Sequence, residues 1–211
     1  LENRYPTAVS FGIRRCEFDH YLLQRSGART QLGQALRSLE KRDGLWIVNE
    51  AFATPLLIGA GGHFCPVARS LGAKLGAGEP AVTAKEIEFE MTPQQRAACP
   101  VRADTPELYF CRDLNGYGWC LRKGNYLNIG LGREGHQGLA QELQAFCNFL
   151  RQRGRIPDDV PDAFHGHAYL LRGRSGRKLV DEGVLLIGDA AGLAYPQSGE
   201  GIRPAVESGL I

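Results

Sequence analysis

Hydrophobic and polar positions change their period several times along the chain, and each change marks an element. Residues 82–90 alternate polar and apolar side chains, and residues 107–113 do the same. That two-residue period predicts antiparallel strands with one buried face. Asn115-Gly116 marks a tight turn, and residues 117–123 and 126–132 give two further strands around Gly124-Asn125. The period then lengthens. Leu139, Leu143, Phe146, Cys147 and Leu150 fall on one helical stripe, which Gly154 and Pro157 stop.

Upstream, residues 34–49 predict a β-hairpin built from Leu36, Leu39, Leu45 and Ile47 about a turn at Asp43-Gly44. Residues 55–69 run from an apolar strand into a glycine turn, with Pro66 suited to a first helical turn and Gly72 to its close. Nearer the start, Asp19 is a candidate N-cap for a short helix carrying Tyr21, Leu22 and Leu23. At the other end, the apolar run Val184, Leu185, Leu186, Ile187 terminates in Gly188-Asp189. A small-residue turn reaches Gly192, and a second glycine pair, Gly199 and Gly201, opens a helix. Pro204 falls in the first turn of that helix, where a missing N–H costs little.

This last segment carries the chemistry. A strand that ends in Gly-Asp and is followed by a helix start delivers one carboxylate and one set of open amides to the same polar ligand. Asp189 can accept hydrogen bonds from ribityl or ribose hydroxyls. The N–H groups around Gly201 and Ile202 can face an electron-rich ring edge, helped by the helix dipole. Glycine permits the close backbone approach this needs. The plainer alternative is that small residues pack where a strand meets a helix.

Gly188-Asp-Ala-Ala-Gly192 with Pro196 and Gly199-Glu-Gly-Ile202 resembles the second flavin-contacting motif of FAD-dependent oxidoreductases, in the geranylgeranyl-reductase-like branch of the para-hydroxybenzoate-hydroxylase fold. The resemblance implies an α/β fold of mixed α+β character: a partial FAD-binding Rossmann-like domain with an inserted antiparallel β-sheet substrate domain. Residues 1–77 would be the first part of the FAD-binding domain, 78–172 the sheet domain with one helix, and 173–211 the return segment.

The same resemblance implies FAD held non-covalently by Arg15, Gly188, Asp189, Pro196, Gly199, Gly201 and Ile202, with NAD(P)H as candidate electron donor. Arg15 enters because the family introduces the helix crossing the cofactor with Arg-x-x-Phe-Asp, here Arg15-Cys-Glu-Phe-Asp19. A guanidinium there can hold phosphate or ribityl oxygens, although charge alone does not separate Arg15 from Arg14. Tyr117-x-Trp119-x-x-x-Lys123 resembles the branch's Tyr-x-Trp-x-Phe-Pro-Lys signature, with Leu121 and Arg122 in place of Phe and Pro. Those residues would meet an apolar or isoprenoid substrate, their aromatics lining an apolar channel; the alternative is that they are core residues of the sheet.

A second departure lies at residues 59–68, where the family shows Gly-Ala-Asp-Gly-x-x-Ser-x-Val-Arg. Gly61 occupies the Asp place and Cys65 the Ser place, which removes one acceptor and substitutes a weaker cap. The implied function is an FAD-dependent oxidoreductase reducing an alkene or similar acceptor by flavin hydride transfer. An FAD-dependent aromatic monooxygenase and a cofactor-free binding module are the alternatives. No residue is assigned as acid or base. The chain has no G-x-G-x-x-G after a strand, starts at Leu1, holds Met91 as its one methionine and stops at Ile211 within an expected helix. The expectation is that an N-terminal piece precedes it, and that this piece alone binds FAD poorly.

Composition narrows the classes further. The 211 residues, 43% hydrophobic, suffice for one large domain or two small ones. A net charge of +2 gives no electrostatic case for nucleic acid. Six cysteines without a C-x-x-C pair read as reduced, structural thiols of a cytoplasmic protein, Cys65 among them. No apolar run approaches the ~20 residues of a membrane span and no signal peptide is visible. Arg172, Arg174, Arg177 and Lys178 read as a solvated loop, with anionic lipid at a membrane surface or a phosphate-bearing substrate as the alternative. His165-Gly-His167 places two rings on one strand face, but spacing supplies no third ligand there or near His63, so no metal site is assigned.

Overall fold

The computed structural model of the chain describes residues 2–76, 78–135 and 138–210. In chain order its elements are α1 (Arg15–Arg25), β1 (Leu39–Arg42), β2 (Leu45–Val48), β3 (Phe52–Thr54), β4 (Leu57–Gly59), α2 (Pro66–Ser70), β5 (Val82–Glu90), α3 (Pro93–Ala98) and β6 (Glu107–Phe110). There follow β7 (Gly116–Lys123), β8 (Tyr126–Glu134), α4 (Leu139–Gln152), β9 (His165–Tyr169), β10 (Val180–Asp181), β11 (Val184–Leu186), a 3-10 turn (Gly188–Ala190) and α5 (Ile202–Gly209). The largest sheet has the order β6-β7-β8-β5-β9, and two three-stranded sheets have the orders β1-β2-β3 and β10-β11-β4. The fold is mixed α and β, as the sequence implies.

Two compact units divide the chain. Residues 1–32, 85–131 and 140–165 form the first; residues 33–84, 132–139 and 166–211 form the second. The sequence-based division groups residues 1–32 with 33–77. Here they join the sheet, because Arg14 donates to Glu88 of β5 at 3.1 Å and its guanidinium lies 3.5 Å from the centre of the Tyr126 ring.

In the first unit, period-two alternation gives the sheet a helix-backed face and a half-buried face. Gly118 of β7 lies under Phe146 of α4, and an added Cβ there would stand 2.6 Å from the ring. Tyr109 meets Phe146 and Phe149 edge-on. Leu127, Ile129, Leu143, Cys147 and Leu150 are buried, so the predicted α4 stripe is the face that packs. Burial pushes the Cys120 thiol up to about 12, which leaves it an apolar filler.

Two local expectations are corrected. Asp19 does not cap α1; Arg14 stands at the N-cap, without a side-chain capping bond, and Asp19 accepts two bonds from Arg15 one turn earlier. The i,i+4 spacing makes the carboxylate a helix-surface partner instead of a cap. Tyr21, Leu22 and Leu23 are exposed on a helix with no buried residue. A helix absent from the sequence expectation, α3, starts at Thr92, whose hydroxyl accepts from the Gln95 N–H while the Gln95 side chain accepts from the Thr92 N–H.

In the second unit, β1 and β2 form the expected hairpin, with Arg42 opposite Leu45 about Asp43-Gly44, and β3 extends it. Strands β4 and β11 are parallel, pairing Leu57 with Val184 and Gly59 with Leu186. Helix α2 packs against them through Val67 and Ala68, into a core with Trp46, Cys65, Val184, Leu186, Ala190 and Ala191. Glycine at 59 makes this approach possible: a Cβ would stand 2.5 Å from a Leu186 methyl and 2.9 Å from the Val67 Cβ. Pro66 occupies the first turn of α2, as expected, and Cys65 precedes it without a capping bond. Helix α5 begins after Gly201 with Pro204 buried in its first turn. Ile211, expected inside a helix, lies outside the described residues.

Candidate functional site

The two parallel strands end side by side, and each runs into a turn. After β11, Gly188 takes a left-handed φ of +55° and its N–H donates to the Ser208 hydroxyl of α5 at 3.0 Å. A Cβ at Gly188 would stand 3.1 Å from the Ala205 Cβ, so the turn and α5 pack face to face. Asp189 is half-buried, and its carboxylate lies against the start of α5: a Cβ at Gly201 would meet its Oδ1 at 2.9 Å. The sequence-predicted pair Asp189 and Gly201 is therefore one local structure, with an anion at a helix N-terminus.

Residues 195–200 form a tight loop before α5. The Tyr195 N–H donates to the Glu200 carbonyl at 2.9 Å and the Gly199 N–H to the Tyr195 carbonyl at 2.8 Å. Gly199 has φ +68°, and a side chain there would collide with the Tyr169 hydroxyl. Glu200 accepts from the Arg203 N–H at 2.7 Å. Among the described residues none accepts from the N–H of Gly201 or Ile202, two of the first-turn donors of α5. Pro196 is exposed and Gly199, Gly201 and Ile202 are half-buried, so the loop is not packed shut.

One buried guanidinium joins this turn to the turn after β4. The sequence-based expectation places Arg177 with Arg172, Arg174 and Lys178 in a solvated loop; Arg172, Arg174 and Lys178 are exposed, but the Arg177 side chain is 1% exposed. It donates to both Glu79 oxygens at 2.6 Å, to the His63 carbonyl at 2.8 Å, and to the Ala190 carbonyl at 2.9 Å with the Asp189 carbonyl at 3.5 Å. A charged side chain enters the interior because every N–H finds an acceptor and Glu79 cancels its charge. Hydrogen bonds from Arg177 hold the Glu79 carboxyl below the usual carboxylate range. Burial first, and the Arg177 charge second, hold the His63 imidazole below its usual pKa. Its Nδ1 faces an Arg177 donor at 3.2 Å, which assigns the proton to Nε2.

The two departures in the turn after β4 touch each other. A Cβ at Gly61 would stand 3.3 Å from the Cα and Sγ of Cys65, so a larger residue at 61 crowds the thiol.

The remaining sequence-predicted residues lie in the first unit. Trp119 donates to Asn128 at 2.6 Å and covers Gly130; Asn128 in turn donates to Glu86 at 3.2 Å. Tyr117 lies 6.0 Å from Trp119, ring to ring. Lys123 donates to Glu88 at 2.7 Å and is 14% exposed. Tyr117 and Trp119 are half-buried on a sheet face that also carries Asn128, Glu86, Glu88 and Lys123, so polar groups share that face with the rings. Arg15 projects from α1, 61% exposed and held by Asp19, while Arg14 makes the tertiary contacts. Glu79 and Tyr169 draw no notice in the sequence, and Arg177 reads there only as one of a basic run. Glu79 and Arg177 are 98 positions apart, and no local pattern announces their pairing. Among the described residues no group of three His, Cys, Asp or Glu could hold a metal ion, and no helix is long and apolar enough to cross a membrane.

The fold that carries these turns is that of flavin-dependent halogenases and hydroxylases. CmlS, a flavin-dependent halogenase, superposes with a TM-score of 0.60 at 17% identity, covering 92% of this chain and 38% of its own. In sequence, the chain is similar to a digeranylgeranylglycerophospholipid reductase of Methanocaldococcus jannaschii, 29% identical over 97% of this chain and 54% of that protein. It is also similar to a chloroplastic geranylgeranyl diphosphate reductase of Oryza sativa subsp. japonica, 27% identical over 94% of this chain and 46% of that protein. The chain spans about half the length of the curated relatives it matches. No protein-family model matches it. The resemblance carried by the Gly188 to Ile202 segment is borne out by these relatives.

Proposed function

We propose that this chain carries the return segment of an FAD-binding domain, together with the substrate-facing sheet, of an FAD-dependent oxidoreductase that reduces a double bond of an isoprenoid substrate. The observation that supports it most is the Asp189 carboxylate against Gly201 at the end of a parallel strand. The residues suit such a cofactor: glycine at 199 and 201 lets the loop backbone pass close to Tyr169 and Asp189, where a Cβ would collide, and two α5 amides have no protein acceptor among the described residues. Asp189 would bind ribityl hydroxyls, and the N–H groups of Gly201 and Ile202 would face the pyrimidine edge of the ring. Gly188, Pro196 and Gly199 shape the backbone around it, and Arg15 would hold ribityl or pyrophosphate oxygens. When bound, FAD supplies the hydride chemistry, with NAD(P)H as donor. Tyr117, Trp119 and Lys123 would meet the substrate. The relatives' names, a digeranylgeranylglycerophospholipid reductase and a geranylgeranyl diphosphate reductase, support an apolar isoprenoid. The free thiols suit a cytoplasmic setting.

The test is Asp189→Ala in the full-length protein, with FAD titrated into apoprotein by fluorescence quenching. A dissociation constant at least tenfold higher is expected; wild-type affinity would overturn the ribityl assignment. A protein that stays colourless with added FAD would support the binding module, and a transient C4a-hydroperoxide absorbance in stopped-flow reaction of the reduced protein with oxygen would support the monooxygenase.

A further inference from the structure

The geometry points to Arg177, clamped by Glu79, as the positioning residue for Asp189: one buried guanidinium ties together the turns after β4 and β11 and so sets the aim of the cofactor carboxylate. This inference rests on the flavin reading above and adds to it a pair of residues that touch no ligand themselves. Arg177 reaches the peptide carbonyl of Asp189 and that of Ala190 from one side, and the His63 carbonyl from the other. The two bonded peptides follow the Asp189 and Ala190 Cα atoms directly, so their rotation would re-aim the carboxylate. Glu79 accepts from Nε and Nη2 along one edge of the guanidinium while Nη1 faces the two carbonyls, which leaves the group one orientation.

A purely structural role would not need this chemistry. Burying an ion pair is expensive, and a well-packed apolar pair of similar volume often serves stability as well or better. What an apolar pair cannot do is bond to the carbonyls of two adjacent turns. Lysine fails for a related reason: it keeps the charge but lacks the planar fork that reaches Glu79 and both turns together.

The experiment uses full-length protein and compares Arg177→Lys, the double variant Arg177→Met with Glu79→Leu, Arg177→Ala and Asp189→Ala. Apoprotein stability is read from urea midpoints, and FAD affinity from fluorescence quenching. The double variant is expected to unfold near the wild-type midpoint yet bind FAD at least tenfold more weakly. Arg177→Lys, which retains the charge should the double variant not fold, is expected to show the same loss. Adding guanidinium ion at tens of millimolar should restore much of the affinity of Arg177→Ala and none of that of Asp189→Ala, a rescue a merely structural role would not produce. Wild-type FAD affinity in the double variant or in Arg177→Lys, with Asp189→Ala weakened, would overturn the clamp alone. Wild-type affinity in Asp189→Ala would overturn the site, and the clamp with it.

Discussion

Two ion-pair clusters in this chain look alike as contacts and differ in what surrounds them. In the second unit Arg177 and Glu79 are almost fully enclosed, their side chains 1% and 10% exposed. In the first unit Glu88 takes bonds from Arg14 and Lys123 on a half-buried sheet face, with side chains 14–23% exposed. Water reaches the second cluster more readily than the first and screens it in part, so its charges cost less to separate. The first has no such refuge. Burial, not the number of bonds, decides which carboxylate the fold depends on.

Removing one partner from each cluster gives the largest expected contrast. Glu79→Ala strands the Arg177 charge and should destabilise by about 3–5 kcal/mol. Glu88→Ala leaves two cations that keep partial access to water and should lose less than Glu79→Ala does, about 1–2 kcal/mol. Urea unfolding of both variants at pH 7 measures the difference, and equal losses would show that the two environments are alike. A packing change tests the same boundary without charge. Gly59→Ala drives a methyl into Leu186 and Val67 beneath α2, and about 1–3 kcal/mol should be lost. Gly124→Ala, at a turn where a Cβ meets nothing within 4 Å, should lose less than Gly59→Ala despite its φ of +61°.

Acid should find the enclosed cluster. Glu79 has a folded pKa below its usual value, so its contribution is present above about pH 4.3 and is lost as pH falls toward the folded value. His63, also held low, gives the same sign at higher pH. The unfolded chain takes up a proton below about pH 6.5 that the folded imidazole, facing Arg177, Glu79 and Asp189, refuses. Stability should therefore be full above that pH and fall on acidification. His63→Gln should remove the upper part of the slope and Glu79→Gln the lower part. Urea midpoints from about pH 2 to 8 that fall in parallel for all three proteins would refute both assignments.

How much of this was legible depended on how local the signal was. The hairpin at Asp43-Gly44, strands β5, β7 and β8, and helix α4 all follow from neighbours two to four residues apart, and the sequence shows them. The Gly188 to Ile202 segment was legible because its geometry lies within fifteen residues. Thr92-Pro-Gln-Gln95 is a capping box that could have announced α3. Arg15 and Asp19 stand at the spacing of a helix pair, which argued against Asp19 as a cap. Arg177 is a different case: a basic run reads as solvent-exposed until its partner is known, and Glu79 arrives from a distant part of the chain. The aromatic face misled for the same reason, since Glu86 and Glu88 reach it from a separate strand.

The smallest stability effect carries a sharp functional contrast. Arg15 is exposed and bonded one turn along its own helix to Asp19, so Arg15→Ala should change stability by only about 0.3–0.5 kcal/mol. Arg14, one residue earlier, holds α1 to Glu88 and covers the Tyr126 ring, so Arg14→Ala should lower the melting temperature further. If Arg15 is the cofactor ligand, the order reverses for FAD: Arg15→Ala weakens binding severalfold at nearly unchanged stability, while Arg14→Ala acts chiefly on the fold. Melting temperature and FAD titration on both full-length variants separate the roles. Unchanged FAD affinity in Arg15→Ala would strike Arg15 from the cofactor set, because an exposed guanidinium whose loss disturbs neither fold nor ligand is a surface charge and nothing more.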